Sequence, residues 1–133
     1  MGATVEGFKA THQVAVSLLG QIDSAEGQQR VDALNSLKEV LLAHVDRENN
    51  IIREAMDKPD AEGTFKLSAQ RFMDELGDIA QTALLPFFDK YSSSEEVDSD
   101  DFSNDFSGIK SALADRIAFE EGRFYPELEK LGF

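Results

Sequence analysis

The sequence contains no cysteine. Disulfides, thiolate metal sites, iron–sulfur clusters and cysteine nucleophiles are therefore excluded together. No apolar run approaches the ~18 residues a membrane-spanning helix needs. The opening MGATVEGFKATHQ lacks the basic flank and apolar stretch of a signal peptide, so a cytoplasmic location is expected. Cationic side chains are scarce as well: 13 Lys+Arg stand against 26 Asp+Glu, a net charge of −13. Such a chain repels a phosphate backbone and an anionic lipid surface, so neither nucleic acid nor membrane is an expected partner. A basic protein would suit the acidic surface. No Cys–His pair, G-x-S-x-G, Walker A, dinucleotide fingerprint or Glu-x-x-His motif is present, and nothing points to an enzyme.

What the chain does have is apolar material, with 41% hydrophobic residues over 133 positions. That is enough for a core and fits one domain over residues 1–133. Proline occurs only at Pro59, Pro86 and Pro126, which leaves long stretches free to be helical. The spacing predicts four helical segments, roughly 4–23, 28–56, 65–91 and 101–131, and no strand. The second carries the cleanest seam, Leu34, Leu37, Leu41, His44, Glu48, Ile51 and Ala55, in alternating steps of three and four. Pro86 is expected to kink or shorten the third. An acidic, serine-rich stretch over about 92–105 reads as a flexible, solvated loop with a helix N-terminus. Four long helices with short connections predict an all-α, antiparallel up-down four-helix bundle. The phenylalanines and tyrosines read as core, with any exposed members available for a dimer contact; the chain is expected to be a monomer or a homodimer.

Polar residues interrupt the apolar stripes at three places: His12, the pair His44/Glu48, and Glu120 with Arg116 one turn before it. A charge buried without a partner is expensive, so each position needs a partner or a ligand. His44 and Glu48, four apart, lie on one helix face. His12 on the preceding helix and Glu120 on the last could join them. Imidazole and carboxylate without sulfur suit iron, manganese or zinc. Asp74, Glu75 and Asp78 on the third helix are further candidate oxygens.

At these residues the chain resembles the hemerythrin-like family, the HHE cation-binding domain. The carriers are His12, the run L-L-A-H-V-D-R-E-N-N-I-I around His44 and Glu48, and R-I-A-F-E-E-G-R-F-Y-P-E-L from Arg116 to Leu128. The resemblance implies a four-helix bundle with iron, mono- or dinuclear, in its core, held by His12, His44, Glu48 and Glu120. It implies sensing, redox or small-gas binding. The sequence departs from the family pattern at Arg116, where a second-half histidine would fall, and near Ala69 and Gln70, where a third-helix histidine would fall. A di-iron site with five histidines cannot be built from two. Arg116 cannot ligate a metal. It leaves two outcomes open: facing inward it would replace the ion, pairing with Glu120 and reaching Glu48; at the rim it would leave the core to Ile117. With the ion replaced, no cofactor is expected and the bundle would act through protein contacts as an interaction or regulatory module. A histidine phosphotransfer domain is a third reading. It requires an exposed histidine, and neither His12 nor His44 has the neighbours such a site uses.

Overall fold

The computed structural model describes residues 2–133, and those residues are all-helical, with five helices of which four are long. Helix α1 spans Ala3–Ser24 and α2 spans Gly27–Met56. The third long helix comprises α3 (Gly63–Ile79), a π-helical segment (Ala80–Leu84) and α4 (Leu85–Lys90). A short α5 (Ser94–Val97) precedes the fourth long helix, made of α6 (Asp100–Phe119), a second π-helical segment (Glu120–Phe124) and α7 (Tyr125–Lys130). No helix of the described residues is long and apolar enough to cross a membrane.

The acidic stretch expected as a loop over 92–105 is largely helical. Ser93 accepts a hydrogen bond from the Glu96 amide at the start of α5, and Asp100 and Asp101 occupy the first turn of α6. Acidic residues favour a helix N-terminus, where they meet the positive end of the macrodipole. Val97, fully buried, pins this stretch to the core.

Neither internal proline ends its helix. Pro86 and Pro126 each stand two residues after a π-helical segment. Proline offers no amide to the usual bond and its ring crowds the carbonyl four residues back. A wider turn accommodates both defects and lets the helix continue. The π turn also rotates the apolar stripe. Beyond it, Leu84, Phe87 and Phe88 are buried on the third long helix, and Phe124, Tyr125 and Leu128 on the fourth.

The buried apolar residues form two clusters. One gathers Ile22, Leu34, Leu37, Phe87, Phe102 and Phe106 with their neighbours. The other gathers Phe8, Ile52, Phe72, Leu76, Phe124 and Leu128. Along α2 the seam holds, but Ile52 rather than Ile51 is fully buried. A straight α-helix drifts by about 20° per heptad against a strict seven-residue repeat, enough over this helix to hand burial to the next residue. Arg30 ties the first cluster together. Its guanidinium donates to the carbonyls of Ile22, Asp23 and Val97 and lies 4.7 Å over the Phe102 ring. It thereby satisfies helix-terminal acceptors that would otherwise lack donors. Gly27 has φ +55°, a conformation that suits glycine at the break between α1 and α2.

Candidate metal centre

On three helices a polar layer falls between the two apolar clusters. His12 lies between Phe8 and Ala15, His44 and Glu48 between Leu37 and Ile52, and Glu120 between Leu113 and Phe124. These are the only charged or imidazole side chains buried among the described residues, at 4%, 5%, 0% and 3% exposure respectively. The four residues singled out from their sequence positions therefore meet.

Their donor atoms converge. One ligating atom from each of the four lies within 4.8 Å of every other. His12 Nε2 is 2.8 Å from Glu120 Oε1 and 3.2 Å from His44 Nε2. His44 Nε2 is 2.8 Å from Glu48 Oε2 and 3.7 Å from Glu120 Oε1. An ion with bonds of about 2.1 Å holds neighbouring donors about 3.0 Å apart at right angles and about 3.4 Å apart at a tetrahedral angle. The four separations above, from 2.8 to 3.7 Å, bracket these edges, and the widest pair of the cluster, at up to 4.8 Å, would have to draw in around an ion.

The surroundings fit a cation. Glu121 Oε2 accepts from His12 Nδ1 at 2.7 Å, which fixes the ring and aims Nε2 into the cluster. Glu48 Oε1 and His44 Nδ1 are buried without a hydrogen-bond partner. A buried carboxylate oxygen in that state has an acceptor position still to be filled. The titration behaviour follows from the same crowding. Burial acts to lower the His44 pKa, but Glu120 and Glu48 outweigh it and raise the ring to about 9. Burial likewise opposes His12 protonation, and Glu120 and Glu121 again prevail and raise it. Burial pushes the Glu48 carboxyl up, reinforced by the charge of Glu120. Burial would raise Glu120 too, yet its bonds to His12 and His44 hold it down at about 2. Both histidines are thereby shifted toward the protonated form.

Arg116 sits at the edge of this layer. Its guanidinium lies 4.2 Å over the Phe72 ring and donates to the Phe72 carbonyl at 3.0 Å. Its Nε is 3.6 Å from Glu120 Oε2, and its Nη1 is 3.5 Å from Glu75 Oε2. The contact runs to the outer oxygen of Glu120, while Oε1 faces the histidines. Among the described residues Arg116 makes no bond to Glu48, and so stops short of the inward reach considered from the sequence. Asp74, Glu75 and Asp78 are exposed and contribute nothing to the cluster. Ala69 is core and Gln70 is on the surface. The third helix therefore faces the cluster with apolar side chains. A cavity of about 40 Å³ lies there, with Leu76, Leu84, Leu113, Arg116 and Ile117 beside His12, His44 and Glu120.

The hemerythrin HHE cation-binding domain matches residues 3–128. The chain belongs to this family. No curated protein and no solved structure matches it. Both imidazoles of the cluster come from the first two helices, and the fourth long helix adds a carboxylate and no imidazole. The burial of both histidines also leaves no exposed imidazole for phosphotransfer among the described residues.

Sequence reasoning missed Tyr125, which it treated only as an aromatic near a helix end. Its side chain is fully buried and its hydroxyl oxygen lies 2.6 Å from Glu48 Oε2 and 2.9 Å from Glu120 Oε1, with one proton to share between the two acceptors. Burial, followed by the charges of the two carboxylates, pushes its pKa far above the ordinary phenol value. Pro126 was the available signal, because the π turn preceding it stacks Tyr125 on Glu120.

Proposed function

We propose that this chain is a hemerythrin-like cation-binding protein that holds one non-haem iron ion in the core of an antiparallel up-down four-helix bundle. His12 and His44 would supply imidazole nitrogens, and Glu48 and Glu120 carboxylate oxygens. The observation that carries the reading is the convergence of four buried donors with His12 oriented from outside by Glu121. Short connections between the long helices, and a polar layer at one height on three of them, support the bundle. One ion rather than two suits a supply of four protein donors. Bound iron would supply a redox-active centre open to a small ligand such as dioxygen or nitric oxide, suited to sensing, redox or gas binding. The apolar cavity beside the imidazoles offers room on the side that lacks protein donors. Arg116 closes that side with its stem and keeps its charge toward Glu75 and the outer oxygen of Glu120.

Arg116 also supports a competing reading, a metal-free bundle acting through protein contacts, because a cation already stands 3.6 Å from Glu120. Thermal melting separates the two. Ferrous iron added anaerobically at a hundred times its dissociation constant is expected to stabilise the chain by about 2.7 kcal/mol. In a domain of this size that shifts the melting temperature by roughly 10 °C. A melting temperature indifferent to iron, manganese and zinc would favour the metal-free bundle.

A further inference from the structure

Tyr125 touches three of the four proposed ligands. Besides its bonds to Glu48 and Glu120, its hydroxyl lies 3.2 Å from His12 Nε2. These spacings repeat those among the four donors themselves. They set the hydroxyl beside three of the four donors, where it would be within reach of an ion held among them.

The backbone is built to place it there. In an α-helix, residues five apart point about 140° away from each other. Here the Tyr125 amide bonds to the Glu120 carbonyl, closing a π turn that brings both side chains to one face. Turns of this kind recur at functional sites. The Phe8 ring, 5.6 Å from that of Tyr125, covers it from within the apolar cluster. Phenylalanine would fill the same volume without bringing a hydroxyl against two buried carboxylates.

Charge decides when the oxygen would coordinate. Two carboxylates and two neutral imidazoles balance a divalent ion, and the phenol can then stay a hydrogen-bond donor. A trivalent ion leaves one positive charge uncompensated in a dry interior, which is costly. Arg116 cannot help, and Glu121 is about a third exposed to water. A phenolate supplies the missing negative charge.

We propose that Tyr125 is a fifth metal ligand, coordinating as a phenolate when the site holds ferric iron and biasing the site toward the ferric state. The step would be ligand addition with deprotonation: an iron–oxygen bond would form, the phenol O–H bond would break, one proton would leave to solvent, and no electron would be transferred. The proposal rests on the metal reading above.

The test loads the wild-type chain and Tyr125→Phe with ferric citrate, and separately with zinc, followed by desalting. The wild-type ferric protein is expected to show a visible phenolate-to-iron charge-transfer band. Resonance Raman excited in that band should show phenolate ring modes. They have one possible source in the cluster, since the other tyrosine, Tyr91, sits in the opposite apolar cluster with its hydroxyl on Asp105. Tyr125→Phe should lose the band and weaken ferric binding at least tenfold more than it weakens zinc binding. An iron-loaded wild type without phenolate modes overturns the fifth ligand and leaves the four-donor site standing. Equal losses for zinc and ferric iron in the variant do the same, because a tyrosine acting only through hydrogen bonds would affect both ions alike. A wild type that holds neither ion removes the metal reading and the phenolate with it. Should Tyr125→Phe fail to fold, the wild-type Raman spectrum still decides.

Discussion

Replacing His44 by alanine is expected to abolish stoichiometric metal binding while leaving the helices in place. His44 Nε2 faces His12, Glu48 and Glu120 at 3.2, 2.8 and 3.7 Å, so it is the donor nearest the middle of the cluster. Groups that merely orient a ligand change metal affinity by about 10- to 100-fold. Loss of the ligand itself should exceed about 100-fold, which desalting converts into an empty site. The ring pairs with Glu48 and Glu120 and meets the Phe8 and His12 rings edge-on, so its loss should also lower the melting temperature, while both apolar clusters lie outside the substitution. Far-UV circular dichroism should therefore remain helical. Metal content measured on the desalted variant reads the effect. An unchanged metal content would remove His44 from the site.

The largest effect on stability is expected from Glu48→Ala. Glu48 is fully buried, and its carboxylate serves both His44 and the Tyr125 hydroxyl. Its removal leaves Glu120 as the one carboxylate partner of both His44 and the Tyr125 hydroxyl and opens a hole between helices. Breaking a buried charge pair from one side costs about 3–5 kcal/mol. In a domain of this size the melting temperature of the metal-free chain should drop by roughly 12–20 °C. Glu48→Gln keeps the volume and an acceptor for Tyr125, and should cost clearly less. Thermal unfolding of the two variants side by side checks the argument. An alanine variant as stable as the parent would mean that the carboxylate is not part of a buried network.

Much of this site could be read in the sequence because it violates a pattern. His12, His44, Glu48 and Glu120 stand where apolar stripes demand apolar residues, and burial of such groups needs a reason. The family motif then gave them an order. Ile51 and Ile52 mark where the reading lost precision, since a strict seven-residue repeat ignores helical drift. The stretch over 92–105 was read as a loop leading into a helix N-terminus; the fourth long helix does begin there, at Asp100, but the single turn of α5 that Val97 anchors was masked by a loop-like composition. Tyr125 was hidden for a different reason. Its position relative to Glu120 depends on a π turn, and a helical wheel drawn at a constant angle puts the two on different faces. The orientation of Arg116 was out of reach because it lies between stripe and rim. The Phe72 ring and carbonyl on a neighbouring helix settle where its guanidinium goes.

The central claim is that these side chains hold a metal ion. Elemental analysis of untagged protein, purified without chelator and reloaded with ferrous iron under anaerobic conditions, tests it most directly. The account predicts about one iron per chain retained through desalting, as expected of a single cluster of imidazoles and carboxylates. A chain that retains no iron, manganese or zinc after the same treatment would contradict it.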